Sequence, residues 1–98
     1  MRLTQEQTRL ITQAVSQWAG KGADVYLFGS RLNDKASGGD VDLLVESDAP
    51  LTLIQRAQIK MELESLLDIS VDIVSKVRSA VPTPFQIIAR ARSARLEV

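Results

Sequence analysis

Hydrophobic residues recur along this chain with two different periods, which predict helices and strands in alternation. From Thr4 to Gly20 they return every three or four positions, as on the buried face of an amphipathic helix. Thr4 and Gln7 have the spacing of a capping box, and Gly20 and Gly22 supply the end of the helix. Trp18 lies on the apolar face, so we interpret it as a packing residue.

Short apolar runs predict a sheet, and capping residues separate them. Thr52 is a suitable cap for a second helix, which we expect to end at Leu67. Thr83 and Pro84 predict the start of a short third helix, and residues 96–98 suggest a short edge strand. The runs with the length and composition of strands are residues 25–28, 40–45 and 70–74.

The second predicted helix has apolar residues on more than one side. Ile54, Ala57 and Met61 share one face. Either both faces are covered within the chain, or one is an exposed patch that contacts a partner, and we favour the partner slightly. The other apolar face holds Ile59, Leu63, Leu66 and Leu67.

Candidate chemistry is concentrated where the first two strands meet. Asp40 and Asp42 alternate at the start of the second strand, so both carboxylates project from one face of the sheet. Their mutual repulsion is relieved by a divalent cation, and Mg²⁺ prefers such oxygen ligands together with substrate phosphates. Gly29 permits a sharp turn whose amides, with the Ser30 hydroxyl, can hold phosphate. This stretch therefore predicts a metal and triphosphate site.

The same residues resemble the signature of the DNA polymerase β-like nucleotidyltransferase superfamily. The resemblance consists of Gly29-Ser30-Arg31, a loop, then Asp40-Val-Asp42 followed by Leu-Leu-Val, and it is nearest to the small stand-alone minimal nucleotidyltransferases. It implies the polymerase β-like fold, a small mixed sheet packed with helices, in an α/β (α+β) domain. It also implies that a nucleoside triphosphate, expected to be ATP, binds with two Mg²⁺ ions.

Individual roles follow from that resemblance and from residue chemistry. Asp40 and Asp42 would hold both metal ions, while Gly29 and Ser30 would hold the β- and γ-phosphates. Arg31 has a planar guanidinium that suits phosphate oxygens, although a solvated loop arginine is the alternative.

Asp72 interrupts the third apolar strand and has two interpretations. As an edge-strand residue it faces solvent, since a charged side chain is rarely buried without a partner. Alternatively it is a third carboxylate that joins Asp40 and Asp42, because the resembled superfamily has an acidic residue on a later strand. We favour the third carboxylate, which would bind metal and receive the proton of the acceptor.

Composition narrows the function classes. The 98 residues are expected to form one domain, 1–98, and 12 basic residues balance 12 acidic ones, which argues against strong nucleic-acid binding. Cysteine and histidine are both absent, which excludes disulfides, thiolate chemistry and histidine acid–base catalysis. No apolar run approaches the roughly 20 residues that span a membrane, and no signal peptide is evident, so we expect a cytoplasmic protein.

Remaining charged residues are expected to be solvated. Asp24 is interpreted as a turn residue, and Arg90, Arg92 and Arg95 as a solvent-facing group near a helix C-terminus. Contact with nucleic acid or a partner is the alternative for these arginines.

The resemblance also suggests a biological setting. Minimal nucleotidyltransferases commonly pair with a HEPN-family toxin, so the expected function is an antitoxin that moves a nucleoside monophosphate onto a hydroxyl of that partner. The alternative is a non-catalytic binding antitoxin or nucleotide-binding module that masks its partner. An Asp-x-Asp glycosyltransferase is a third hypothesis, disfavoured because such folds need a longer chain. An oligomer is also possible.

Overall fold

A computed structural model describes residues 3–28, 40–91 and 93–96. Helix α1 spans Gln5–Ala19, and strands β1 and β2 span Asp24–Phe28 and Asp40–Ser47. Helix α2 spans Leu53–Leu67 and is followed by strand β3, Ser70–Val77. Helix α3, Pro84–Ala91, and the two-residue strand β4, Ala94–Arg95, complete the order.

Each helix begins at a threonine whose side chain caps it. Thr4 accepts a hydrogen bond from the Gln7 amide while the Gln7 side chain accepts one from the Thr4 amide, which confirms the predicted capping box. Thr52 and Gln55 repeat that arrangement in α2. Thr83 does the same for α3, whose first residue is a proline. Three Thr-x-x-Gln sequences therefore fix where three helices start.

The helix ends are set by backbone conformation. Gly20 ends α1 with φ of 98°, a conformation that favours glycine. Asp68 ends α2 in the left-handed region with φ of 57°, where a residue with a Cβ is disfavoured. Both ends confirm the predicted extents of the two helices.

Within the described residues the four strands form one mixed sheet in the order β3-β2-β1-β4. Strand β2 is antiparallel to β1 but parallel to β3, and β4 is antiparallel to β1. Helix α2 provides the crossover that a parallel pair requires. The α/β (α+β) prediction with a small mixed sheet is therefore confirmed.

The hydrophobic core lies between one face of this sheet and helices α1 and α2. Trp18 packs against its margin, and its indole donates to Glu62 at 3.2 Å. Alternation along the strands places odd-numbered residues in the core and even-numbered ones on the opposite face. The core residues are Ile11, Ala14, Val15, Val25, Leu27, Val41, Leu43, Val45, Ile59, Leu63 and Val71.

The outer face of α2 is apolar and exposed. Leu53, Ile54 and Met61 each keep most of their surface accessible, whereas Ile59 and Leu63 are fully buried. Leu66, which the sequence groups on the same apolar face as Ile59 and Leu63, is exposed. Of the two alternatives given for α2, the described part of the chain agrees with an exposed apolar patch.

Strand limits differ from the sequence prediction at several ends. The predicted strands at 25–28, 40–45 and 70–74 are each extended, because pairing in the sheet continues past the apolar runs. Strand β4 lies at Ala94–Arg95, and of the predicted range 96–98 only Leu96 is described, which follows the strand directly.

Candidate active site

Two carboxylates lie side by side on the sheet face opposite α1 and α2. Asp42 on β2 is the register partner of Asp72 on β3, so the two side chains project from the same face of neighbouring strands. Adjacent strands are about 4.8 Å apart, so the two carboxylates are close enough to bind one ligand between them. The structure therefore brings together two of the three acidic residues singled out from the sequence.

Both interpretations of Asp72 agree with its position. Strand β3 is at the edge of the sheet, and 62% of the Asp72 side chain is exposed. Asp42 is half-buried beside it. An exposed carboxylate next to a less exposed one is open to a ligand from solvent.

The remaining predicted site residues are described only in part. Asp40 is the first residue of β2 and pairs with Ser70, but its side chain lies outside the described structure. Gly29, Ser30 and Arg31 also lie outside the described residues. Their assignments stay predictions.

A lysine that the sequence analysis overlooked lies beside Asp72. The Lys60 ammonium is 3.9 Å from Oδ1 of Asp72 and 3.0 Å from Oε2 of Glu64, and it also donates to the Val71 carbonyl. Glu64 accepts from the Val71 amide at 2.8 Å. The Val71 amide and, to a lesser degree, Lys60 hold the pKa of the Glu64 carboxyl below its ordinary value. Together these bonds fasten the start of β3 to α2.

An open groove of about 290 Å³ runs between α2 and β3 next to this cluster. It combines two basic side chains with apolar walls and reaches Asp72. The i, i+4 spacing of Arg56 and Lys60 is visible in the sequence, but their proximity to Asp72 depends on how α2 crosses the sheet edge. The lining residues are Leu53, Arg56, Ala57, Lys60, Asp72 and Ile73.

Helix α3 covers part of the sheet face that carries the carboxylates. Phe85 packs edge to face on Phe28, with ring centroids 6.1 Å apart, and Phe28 is the register partner of Asp42. The Arg90 guanidinium lies 3.9 Å from the centre of the Tyr26 ring and donates to the Tyr26 hydroxyl. Arg90 is exposed in the last turn of α3, as predicted, and its contact with Tyr26 is an addition to that prediction.

The opposite end of the sheet is held by a charge cluster around Asp24. Arg78 and Arg95 each donate to its carboxylate at 2.8 Å, and Arg78 also binds Asp48 and the Gly22 carbonyl. The Arg78 hydrogen bond, with a contribution from Arg95, holds the pKa of Asp24 below its ordinary value. Asp24 is thus the first residue of β1 and an ion-pair partner, which corrects its interpretation as a solvated turn residue. Arg95 is exposed, as predicted, but it also binds Asp24, while Arg92 lies outside the described residues.

The carboxylate pair fits a divalent cation. Two like charges on directly paired residues repel, and a hard cation removes that repulsion through the oxygen ligands it prefers. Within the ranges the structure describes, no cluster of three acidic side chains is formed, and the Asp40 carboxylate is outside those ranges. The fit therefore depends on Asp42 and Asp72.

The described part of the chain contains no helix that is long and apolar enough to cross a membrane.

No curated protein matches the chain significantly.

Solved structures with a similar fold include complexes of two proteins. One chain of the complex between a tri-AMPylated HEPN toxin and MNT antitoxin from Shewanella oneidensis is 28% identical, with 96% of this chain and 72% of that chain aligned and a TM-score of 0.70. A toxin–antitoxin structure with AMP-PNP gives 28% identity, 97% and 73% coverage and a TM-score of 0.74. A minimal nucleotidyltransferase gives 30% identity, 94% and 95% coverage and a TM-score of 0.64.

The sequence itself matches a known family over almost its whole length. Residues 8–96 match the nucleotidyltransferase domain family, and this range includes the carboxylate pair, the Gly29-Ser30 sequence and strands β1, β2 and β3. The minimal nucleotidyltransferase aligns over nearly all of both chains, so the fold and the sequence agree. The chain therefore belongs to the nucleotidyltransferase domain family, and we class it as a nucleotidyltransferase.

Proposed function

We propose that this protein transfers the adenylyl group of ATP to a hydroxyl on a HEPN-family partner, and so acts as the antitoxin of a toxin–antitoxin pair. The observation that carries the proposal is the register pairing of Asp42 with Asp72 on neighbouring parallel strands. The similar chains come from a complex with a tri-AMPylated HEPN toxin and from a toxin–antitoxin structure with AMP-PNP, which supports both the partner and the nucleotide.

In this proposal the acidic residues provide the metal ligands. Asp40 and Asp42 would hold two Mg²⁺ ions, with Asp72 as a further ligand. When bound, the ions supply neutralisation of phosphate charge and a lower pKa for the acceptor hydroxyl. The backbone amide of Gly29 and the Ser30 hydroxyl would bind the β- and γ-phosphates, with Arg31 beside them.

The bond changes are those of a single displacement. The acceptor oxygen forms a bond to the α-phosphorus while the bond from that phosphorus to the α,β-bridging oxygen breaks. Pyrophosphate leaves with the bond's electron pair, and Asp72 receives the proton of the acceptor. Because Asp72 is the more exposed carboxylate, the acceptor reaches it from solvent. Catalysis would depend mainly on positioning and charge neutralisation.

A second candidate function is a binding antitoxin without catalysis. The exposed apolar side chains of Leu53, Ile54 and Met61 on α2 favour it, since such a surface can contact a partner regardless of chemistry. The two functions differ in whether masking the partner requires nucleotide transfer.

The discriminating experiment uses Asp72→Asn with the product of the neighbouring gene as acceptor. We expect labelled ATP to modify that protein, and Asp72→Asn to slow transfer by about 10²–10⁴-fold while nucleotide binding persists. Asp68→Asn removes another exposed carboxylate, the one that ends α2, so it is the matched control and should transfer normally.

Growth rescue from the partner's toxicity completes the comparison. The transferase is supported if wild type labels the partner and restores growth while Asp72→Asn does neither. Equal rescue without labelling by either protein would establish the binding antitoxin instead. Rapid labelling by Asp72→Asn would show that Asp72 is only a surface residue.

A further inference from the structure

Strand β3 is an edge strand whose outward backbone groups are partly occupied by side chains. Alternation along the strand directs the amide and carbonyl of every second residue, beginning at Val71, away from β2. Glu64 accepts from the Val71 amide and Lys60 donates to its carbonyl. Further along, the Ser75 carbonyl accepts from the Gln86 side chain at 3.3 Å. Side chains therefore close the edge on both sides of one residue.

That residue is Ile73. By the same alternation its amide and carbonyl point outward, and no residue in the described ranges bonds to them across the edge. Proteins usually cover or block sheet edges, because unpaired backbone groups invite another strand. Here the uncovered position is directly after Asp72, so a segment that pairs there passes the proposed catalytic carboxylate.

Of the two basic side chains in the groove beside Ile73, Arg56 has no ion-pair partner among the described residues. Lys60 already bonds to Glu64 and to the Val71 carbonyl. The Arg56 guanidinium, by contrast, makes no hydrogen bond or ion pair with any residue the structure describes, although it is half-buried in the groove wall. A half-buried guanidinium without a partner favours an anionic group, and its planar fork suits a carboxylate.

We propose that this edge is the docking site for the acceptor: a short extended segment of the partner protein pairs with the backbone of Ile73 and places an acidic side chain against Arg56. The inference rests on the proposed function, because it identifies how the acceptor of that reaction is recognised. Strand addition of this kind takes affinity from main-chain bonds and specificity from side-chain pockets.

The strand geometry also predicts the sequence of the acceptor. Successive side chains of an added strand point to opposite faces of the sheet. A hydroxyl residue that reaches Asp72 lies on the carboxylate face, so the residues on either side of it point toward α2 and the groove. The modified residue should therefore have an acidic residue directly before or after it, next to Arg56.

The test is steady-state transfer of labelled ATP to the neighbouring gene's product with Arg56→Glu. We expect the KM for the protein acceptor to rise by at least about tenfold, because an attraction becomes a repulsion, while the KM for ATP stays unchanged. Gln58→Glu makes a new negative charge on an exposed position of the same helix, roughly opposite Arg56, and is the matched control. It should change neither KM.

A charge exchange then tests the contact itself. Mass spectrometry identifies the labelled residue, and the acidic neighbour is changed to lysine in the acceptor. That acceptor should be a poor substrate for wild type and a better one for Arg56→Glu. Thermal unfolding of both variants checks that folding is intact.

Several results would overturn the inference while leaving the proposed function standing. The first is that Arg56→Glu and Gln58→Glu have the same KM for the protein acceptor. The second is that the labelled residue has no acidic neighbour in the acceptor sequence. The third is that the charge exchange does not restore transfer by Arg56→Glu. If sedimentation shows that Arg56→Glu instead dissociates a dimer of this chain, a second copy occupies the edge and the inference is wrong. Absence of any transfer by wild type would overturn both proposals together.

Discussion

Replacing Asp24 by asparagine tests whether the charge cluster at the far end of the sheet stabilises the fold. Asp24 accepts from Arg78 and Arg95 at 2.8 Å each, and 25% of its side chain is exposed. Hydrogen bonds to charged groups contribute about 1.5–3 kcal/mol when protected, and exposed ion pairs about 0.2–1 kcal/mol. Asparagine keeps one acceptor oxygen, so we expect a loss of about 1–2 kcal/mol in the free energy of unfolding at pH 7.

Asp48→Asn is the matched control for this substitution. Asp48 accepts from the same arginine at 2.9 Å, but 84% of its side chain is exposed. Solvent screening should reduce its contribution to less than about 0.5 kcal/mol. For a domain of this size, a difference of 1 kcal/mol corresponds to roughly 4–8 °C in Tm.

The pH dependence separates charge from packing. Because the folded-state pKa of Asp24 is lowered, its contribution is fully present above the unfolded pKa of about 3.9 and is lost as pH falls through the folded value. The gap between wild type and Asp24→Asn should therefore be constant from pH 7 to pH 5 and narrow toward pH 3. Urea unfolding at each pH measures it. An undiminished gap at pH 3, or equal effects of the two substitutions at pH 7, would refute an electrostatic origin.

Three further substitutions test the core, the end of α2 and the nucleotide site. Leu63→Ala should cost about 2–5 kcal/mol in urea unfolding because Leu63 is fully buried, whereas exposed Met61→Ala should cost less than about 0.5 kcal/mol; similar values would contradict the placement of the core. Asp68→Gly should raise Tm by the equivalent of about 0.5–1 kcal/mol because φ is 57° there, and a lower Tm would show that the aspartate side chain matters more than backbone strain. Ser30→Ala should weaken Mg²⁺–ATP binding in calorimetry by about 1–2 kcal/mol, and an unchanged Kd would show that the turn is only structural.

Local signals made much of the fold predictable from the sequence. The Thr-x-x-Gln starts of α1 and α2 depend on residues only three positions apart, so the sequence contains the whole signal. The proximity of Asp42 and Asp72 is expected from the resemblance, since that superfamily has an acidic residue on a later strand, while alternation indicates only which face of its own strand each aspartate occupies. What alternation could not provide was the order of the strands, on which their proximity depends.

Contacts between distant residues were not predictable in this way. Asp24 binds arginines that follow it by 54 and 71 positions, and nothing in the local sequence around it distinguishes a bridged aspartate from a solvated one. Lys60 reaches Asp72, and Arg56 lines the same groove, only because α2 crosses the edge of β3. Strand β3 continues to Val77, beyond its apolar run, since its partner β2 offers main-chain groups as far as Ser47.

The short strand β4 has a consequence for the order in which the molecule folds. Leu27 pairs with Ala94, and the Leu96 amide donates to the Val25 carbonyl at 2.9 Å, so one side of β1 is completed by residues about seventy positions later. Closing so long a loop costs more conformational entropy than forming a helix. The pairing of β4 with β1 should therefore form more slowly than the helices do. As the chain leaves the ribosome, β1 therefore spends most of synthesis with that edge open to other nascent chains. Aggregation during expression should accordingly depend on temperature and on synthesis rate more than the equilibrium stability alone suggests.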